Sequence, residues 1–145
     1  MTRRPLVFDA SSILTLVKEL RGKAPDLLLE GSTISLAYYE AGNAIWRECF
    51  LLKRIIAKEA SQLLRTIFKI IQMMNVVTLE DEDHGNAILE MAGKLNITYY
   101  DAAYLTETQK SEKTLVTDDE ELAKAAQSLG LETLTSKAIR QQHRP

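Results

Sequence analysis

The sequence predicts an α/β fold, a three-layer α/β/α sandwich around a central parallel sheet, and three observations carry that expectation. Short apolar runs rich in β-branched residues alternate with stretches of helical periodicity along the chain. No repeat, linker or low-complexity tract interrupts the alternation, so residues 1–145 read as one domain. Acidic residues fall where strand-like runs give way to helices, which in parallel sheets is the edge where ligands bind. Strands joined through helices run parallel and carry those helices on both faces.

The first strand is the apolar run 5–8, stopped by Asp9, and Ser11 or Ser12 is the expected cap of a helix ending near Leu20 before Arg21-Gly22. Residues 24–29 form a short apolar helix that Gly31 terminates, and residues 32–36 are β-branched enough for a second strand. That strand runs into a helix through Trp46, on which Leu36, Glu40 and Ala44 share a face with Asn43 beside them. Residues 57–74 carry a wide apolar stripe that includes Ile70, Ile71, Met73 and Met74. More apolar width than one small core can cover points to a homodimer through this helix.

Residues 75–79 are the third strand, and residues 80–95 a helix whose first-turn acids complement its dipole. Residues 96–100 read as an extended connector, with Asp101 starting the next helix. The strand 114–117 then ends at Asp118-Asp119, with Thr117 or Asp118 as the cap of a helix reaching Leu129. Residues 132–135 form a last short strand, and residues 137–145 a basic tail expected to fray.

At 145 residues the chain can bury a core without disulfides, and its single cysteine, Cys49, has no intrachain partner. No secretory signal precedes the first strand and no run approaches the ~18 apolar residues of a membrane span, so a soluble cytoplasmic protein is expected. With 18 basic and 20 acidic residues the net charge is −2, which does not by itself draw the protein onto nucleic acid. Locally, Arg47, Lys53, Arg54, Lys58, Arg65 and Lys69 oppose only Glu48 and Glu59, an excess that ordinarily marks a solvated helix face.

Taken singly, Asp9, Glu40, Asp101 and Asp119 have ordinary explanations as helix caps, first-turn acids or surface glutamate. Gathered at one sheet edge, they would repel by about 3 kcal/mol per pair at ~6 Å and an effective dielectric near 20. Such a cluster calls for a divalent cation. An all-oxygen donor set selects Mg²⁺ or Mn²⁺ over zinc, and neither His84 nor His143 lies near a junction. The corresponding chemistry is attack of water on a phosphate.

In order along the chain, Val7-Phe8-Asp9-Ala10-Ser11, Tyr39-Glu40-Ala41-Gly42-Asn43, Tyr100-Asp101-Ala102-Ala103-Tyr104 and Leu115-Val116-Thr117-Asp118-Asp119 resemble the PIN-domain family, in particular its small prokaryotic VapC-like toxins. The resemblance spans essentially the whole chain. It implies an α/β/α nuclease that binds Mg²⁺ or Mn²⁺ and cleaves RNA endonucleolytically to leave a 5′-phosphate, as the toxin of a type II toxin-antitoxin pair. By position it makes Asp9 and Asp101 direct metal ligands, Glu40 a ligand directly or through water, and Asp119 the fourth acid. Asp118 is then an extra acid, for a second metal or for solvent. Ser11, Asn43 and Thr117 match small polar positions that orient the carboxylates or the water. The implied partners are an RNA substrate, a second copy of the chain and a separate antitoxin that covers the active-site groove.

Two other classes share parts of this pattern. A receiver domain also gathers aspartates and Mg²⁺ at strand ends, but it needs adjacent acids after the first strand and an aspartate on the third. Here Ala10, Ser11 and Ser12 follow Asp9, and residues 75–79 carry no acid. A non-cleaving interaction protein on a PIN-like scaffold is the other alternative.

Overall fold

The computed structural model describes residues 5–143, which form five parallel strands covered on both faces by helices. In chain order these are β1 (Leu6–Phe8), α1 (Ala10–Leu20), α2 (Ala24–Leu28), β2 (Ser32–Ile34), α3 (Leu36–Trp46), α4 (Ala57–Met73), β3 (Asn75–Val77), α5 (Glu82–Leu95), α6 (Tyr99–Lys110), β4 (Thr114–Val116), α7 (Glu120–Ser128), β5 (Thr133–Leu134) and α8 (Ser136–Gln142). The sheet order β3-β2-β1-β4-β5 makes β1 the central strand.

The pleat divides the core. Val7 pairs with Leu115 and Phe8 with Val116, and the two pairs face opposite ways. Phe8 and Val116 join Ile13, Leu16, Leu28, Ile67, Ile71 and Ile139 under α1, α2, α4 and α8. Val7 and Leu115 join Ile34, Tyr104, Leu105, Leu122 and Ala126 under α6 and α7. This is the expected three-layer sandwich. Gly31 is required just before β2, because a Cβ there would lie 2.4 Å from the Phe8 ring.

Several local expectations are corrected. Asp9, not a serine, caps α1, because its carboxylate takes the Ser12 amide while the Ser12 hydroxyl turns to the carbonyls of Asp9 and Val116. The connector 96–100 is cut short: Asn96 adopts a left-handed conformation that ends α5, and Thr98 caps α6, leaving Asp101 inside the first turn. Asp119, rather than Thr117 or Asp118, caps α7.

The expected tail becomes α8 as far as Gln142, held by the Thr135 cap, buried Ile139 and an ion pair from Arg140 to Glu19 on α1. Residues 144 and 145 lie outside the described residues. On α4 the positions chosen for a dimer are core: Ile70, Ile71 and Met74 are buried and only Met73 is exposed. The stripe is wide because α4 packs against both α3 and α1, and together these helices cover it. Exposed apolar side chains lie instead at Trp46, Phe50, Leu51, Leu52 and Ile56, at the end of α3 and the turn beyond it, and at Tyr39 near the start of α3. Cys49 is buried as a free thiol.

Candidate active site

The acids reach one edge by different routes. Asp9 follows β1 directly, and Thr117-Asp118-Asp119 follows the adjacent strand β4. Glu40 stands in the second turn of α3, the helix that leaves β2. Asp101 does not follow a strand: α6 comes after α5 and leads into β4, so it runs back across the sheet and its N-terminus lies at the carboxyl edge of the strands.

Asp9 is the anchor of this edge, 4 % exposed. Its Oδ1 accepts from the Ser12 amide at 2.9 Å, and its Oδ2 from the Thr117 hydroxyl at 2.5 Å. The Ser11 hydroxyl lies 2.8 and 2.9 Å from the two oxygens, and its single proton serves one at a time. These hydroxyls are themselves fixed by the β4–α7 loop. Ser11 Oγ accepts from the Asp118 amide and Thr117 Oγ1 from the Asp119 amide. Three protons therefore meet a carboxylate with about four acceptor positions, and one is left for a cation.

Glu40 is half-buried, and its Oε1 accepts from the Tyr104 phenol at 2.8 Å. Asp119 uses Oδ1 to accept from the Glu121 and Leu122 amides. Asp101 gives its amide to Thr98, and among the described residues its carboxylate takes no hydrogen bond. The remaining predicted positions fall elsewhere. Asn43 is exposed on α3, and its side chain makes no hydrogen bond among the described residues. Asp118 is exposed, and its Oδ1 accepts from the Ser136 amide at 2.8 Å, tying the start of α8 to the β4–α7 loop.

The carboxylates feel one another. Burial pushes Asp9 above the ordinary carboxylate range against the opposing hydrogen bonds from Thr117, Ser12 and Ser11. Glu40 is raised by burial and then by the charges of Asp9, Asp101 and Asp119, with the Tyr104 hydrogen bond opposing. Asp101 is raised by burial and by Asp119, Asp9 and Glu121. Among the described residues no lysine, arginine or histidine forms an ion pair with Asp9, Glu40 or Asp101.

The donor set fits a hard divalent cation, since the open acceptors are all carboxylate oxygens on Asp9, Glu40, Asp101 and Asp119. Among the described residues no three His, Cys, Asp or Glu side chains form a ready-made coordination cluster, so a cation would have to draw these arms inward by rotation. Two members of the site were not identified from sequence. Tyr104 contacts Glu40 from 64 positions away, and Glu121 adds a fifth negative charge near Asp101. The recurrence of Tyr104 one turn after Asp101 was the available signal for the first.

The chain matches no family model. It is similar to the exonuclease VapC9 of Pyrobaculum aerophilum, 33 % identical over 102 residues that make up 70 % of this chain and 71 % of that one. Among solved structures it is similar to PAE2754 from Pyrobaculum aerophilum, with a TM-score of 0.75 and 26 % identity over 97 % of this chain and 98 % of the other. The FitAB structure bound to the IR36 DNA fragment shares the fold, with a TM-score of 0.61 and 13 % identity over 90 % of this chain and 94 % of that chain.

Proposed function

Because this chain belongs to the VapC-like PIN-domain family, we propose that it is a nuclease that binds Mg²⁺ or Mn²⁺ through Asp9, Glu40, Asp101 and Asp119 and cleaves RNA, as the toxin of a type II toxin-antitoxin pair in the cytoplasm. The observation that carries this reading is the electrostatics of the sheet edge. Asp9, Glu40 and Asp101 are each pushed towards protonation by burial, Glu40 and Asp101 also by neighbouring acids, and none has a cationic side chain on it among the described residues. A structural role alone would not require so unfavourable a grouping.

A bound Mg²⁺ or Mn²⁺ would polarise the phosphoryl group and lower the pKa of a water positioned for in-line attack. The chain's own residues do the rest. Ser11, Ser12 and Thr117 fix the Asp9 carboxylate so that it presents one open position. Asp101 enters from the opposite helical layer with both oxygens uncommitted, and Asp119 keeps Oδ2 open while Oδ1 caps α7. Glu40 offers Oε2 while Tyr104 holds Oε1. Asp118 also has one oxygen held, by the Ser136 amide at the start of α8, but unlike Asp119 its charge is not among those that raise Glu40 and Asp101, so its part is structural.

Family membership sets the receiver reading aside and leaves a non-cleaving PIN-like protein as the alternative in function. The cleavage mode has two readings. We favour endonucleolytic cutting, whereas the relative's name is that of an exonuclease. The partners proposed with this function are a separate antitoxin and a second copy of the chain, the latter through the exposed apolar residues near Phe50 rather than through Ile70 and Met74.

The test is incubation of linear and circular single-stranded RNA with the purified protein in Mg²⁺, Mn²⁺ or EDTA. Metal-dependent cutting of both forms is expected. Cutting of the linear form alone would mean an exonuclease, and no cutting of either would favour the interaction protein.

A further inference from the structure

Tyr104 is among the largest fully buried side chains, 1 % exposed, with its ring among Val7, Ile34, Leu105 and Leu115. A phenylalanine would fill that space equally well, so the hydroxyl calls for a separate reason. Its one proton goes to Glu40 Oε1 at 2.8 Å. The backbone amide of Ala10, one of the donors that the first turn of α1 leaves unpaired, lies close enough to favour negative charge on the phenol oxygen. Asp9 immediately precedes Ala10, and Asp101 lies one turn before Tyr104 on α6. One phenol thus stands where the elements that deliver Asp9, Glu40 and Asp101 meet, and its bond to Glu40 bridges the two helical layers over the sheet edge.

We propose that Tyr104 is a positioning residue for the nuclease site: it holds one Glu40 oxygen, so that Glu40 offers a single oxygen to a divalent cation instead of chelating through both, and it ties α3 to α6 at that spacing. This rests on the metal-dependent reading above. Glu40 needs such a restraint because it stands alone on a helix face, without the surrounding donors that immobilise Asp9. Partners of this kind, which orient a ligand without touching the metal, commonly change metal affinity by about 10–100-fold when removed.

The experiment measures Mn²⁺ affinity by titration calorimetry for the wild type, Tyr104→Phe, Glu40→Gln and the double variant, with urea midpoints in EDTA to check folding. Tyr104→Phe removes one oxygen atom and keeps the ring. The expected result is Mn²⁺ affinity at least tenfold weaker in Tyr104→Phe, with the double variant binding no more weakly than Glu40→Gln, because Tyr104 acts through Glu40. Unchanged affinity in Tyr104→Phe would overturn the proposal and leave the nuclease reading standing. An equal loss with and without Glu40 would also overturn it, assigning Tyr104 to general packing. A wild type that binds no Mn²⁺ would overturn the metal reading and this proposal together.

Discussion

Glu40→Gln removes one negative charge from the sheet edge while leaving the side chain's length and its acceptor for Tyr104 in place. The direction of the effect follows from the fold, which raises Glu40 above its ordinary carboxylate range and so favours its neutral form. Glutamine mimics that form. Taking ~8 Å between carboxylates and an effective dielectric near 20, each charged neighbour repels Glu40 by roughly 2 kcal/mol, reduced to somewhat under 1 kcal/mol by physiological salt. Asp9, Asp101 and Asp119 are the neighbours. Against their sum of about 2 kcal/mol stands the charge-assisted part of the Tyr104 hydrogen bond, about 1 kcal/mol. The variant should therefore be more stable than the wild type by about 1 kcal/mol in EDTA, or about 2–4 °C in melting temperature. Millimolar Mg²⁺ should reverse the order, because binding to the folded state stabilises the wild type more. Urea unfolding with and without EDTA measures both. Glu40 caps no helix, so a variant destabilised by 1 kcal/mol or more in EDTA would refute the shared-charge account.

Three further outcomes are expected. Asp9, Glu40 and Asp101 have folded-state pKa values above their ordinary 3.8, 4.5 and 3.8. Their contribution to stability in EDTA is therefore complete below those ordinary values and is lost as pH rises through the raised ones, so a pH-independent difference between wild type and Asp101→Asn in urea midpoint would contradict the shifts. Asp118→Ala should cost about 1 kcal/mol by freeing the Ser136 amide while leaving Mn²⁺ affinity unchanged; calorimetry showing weaker binding would return Asp118 to the site. Ile70→Lys and Met74→Lys should unfold the chain, costing at least about 3 kcal/mol, whereas Phe50→Lys should stay folded and, by light scattering, become monomeric; a folded Ile70→Lys protein would place that side chain outside the core.

The strands and the carboxylates nearest them were legible because their signals are local. The run that stops at Asp9 and the run that stops at Thr117 become adjacent parallel strands, so their following residues meet without further information. Asp101 was legible as an acid at a helix start, but its route was not. It reaches the site because α6 runs antiparallel to the strands, which depends on α5 and α6 packing as a pair. The Tyr104–Glu40 contact joins two helices from different layers, and no periodicity within either encodes it. Asp118 and Asp119 are neighbours of like chemistry whose roles part only when α8 folds and claims the first. The α8 helix itself was hidden because its stability comes from Ile139, Arg140 and Asp118 contacts rather than from its short sequence. Apolar width on α4 misled for a related reason: a stripe that contacts more than one helix looks the same in sequence as one that also faces a partner.

The central claim, that four carboxylates on one sheet edge would hold a divalent cation for the cleavage of RNA by water, is tested most directly by Asp101→Asn. Asp101 caps no helix, and its carboxylate makes no hydrogen bond among the described residues, so the amide leaves the fold intact. Single-turnover cleavage of a labelled single-stranded RNA in saturating Mn²⁺ should fall by at least about 100-fold against the wild type, a transition-state loss of about 2.7 kcal/mol, while circular dichroism shows an unchanged fold. Cleavage by Asp101→Asn at the wild-type rate, or cleavage by the wild type that persists in EDTA, would contradict the account.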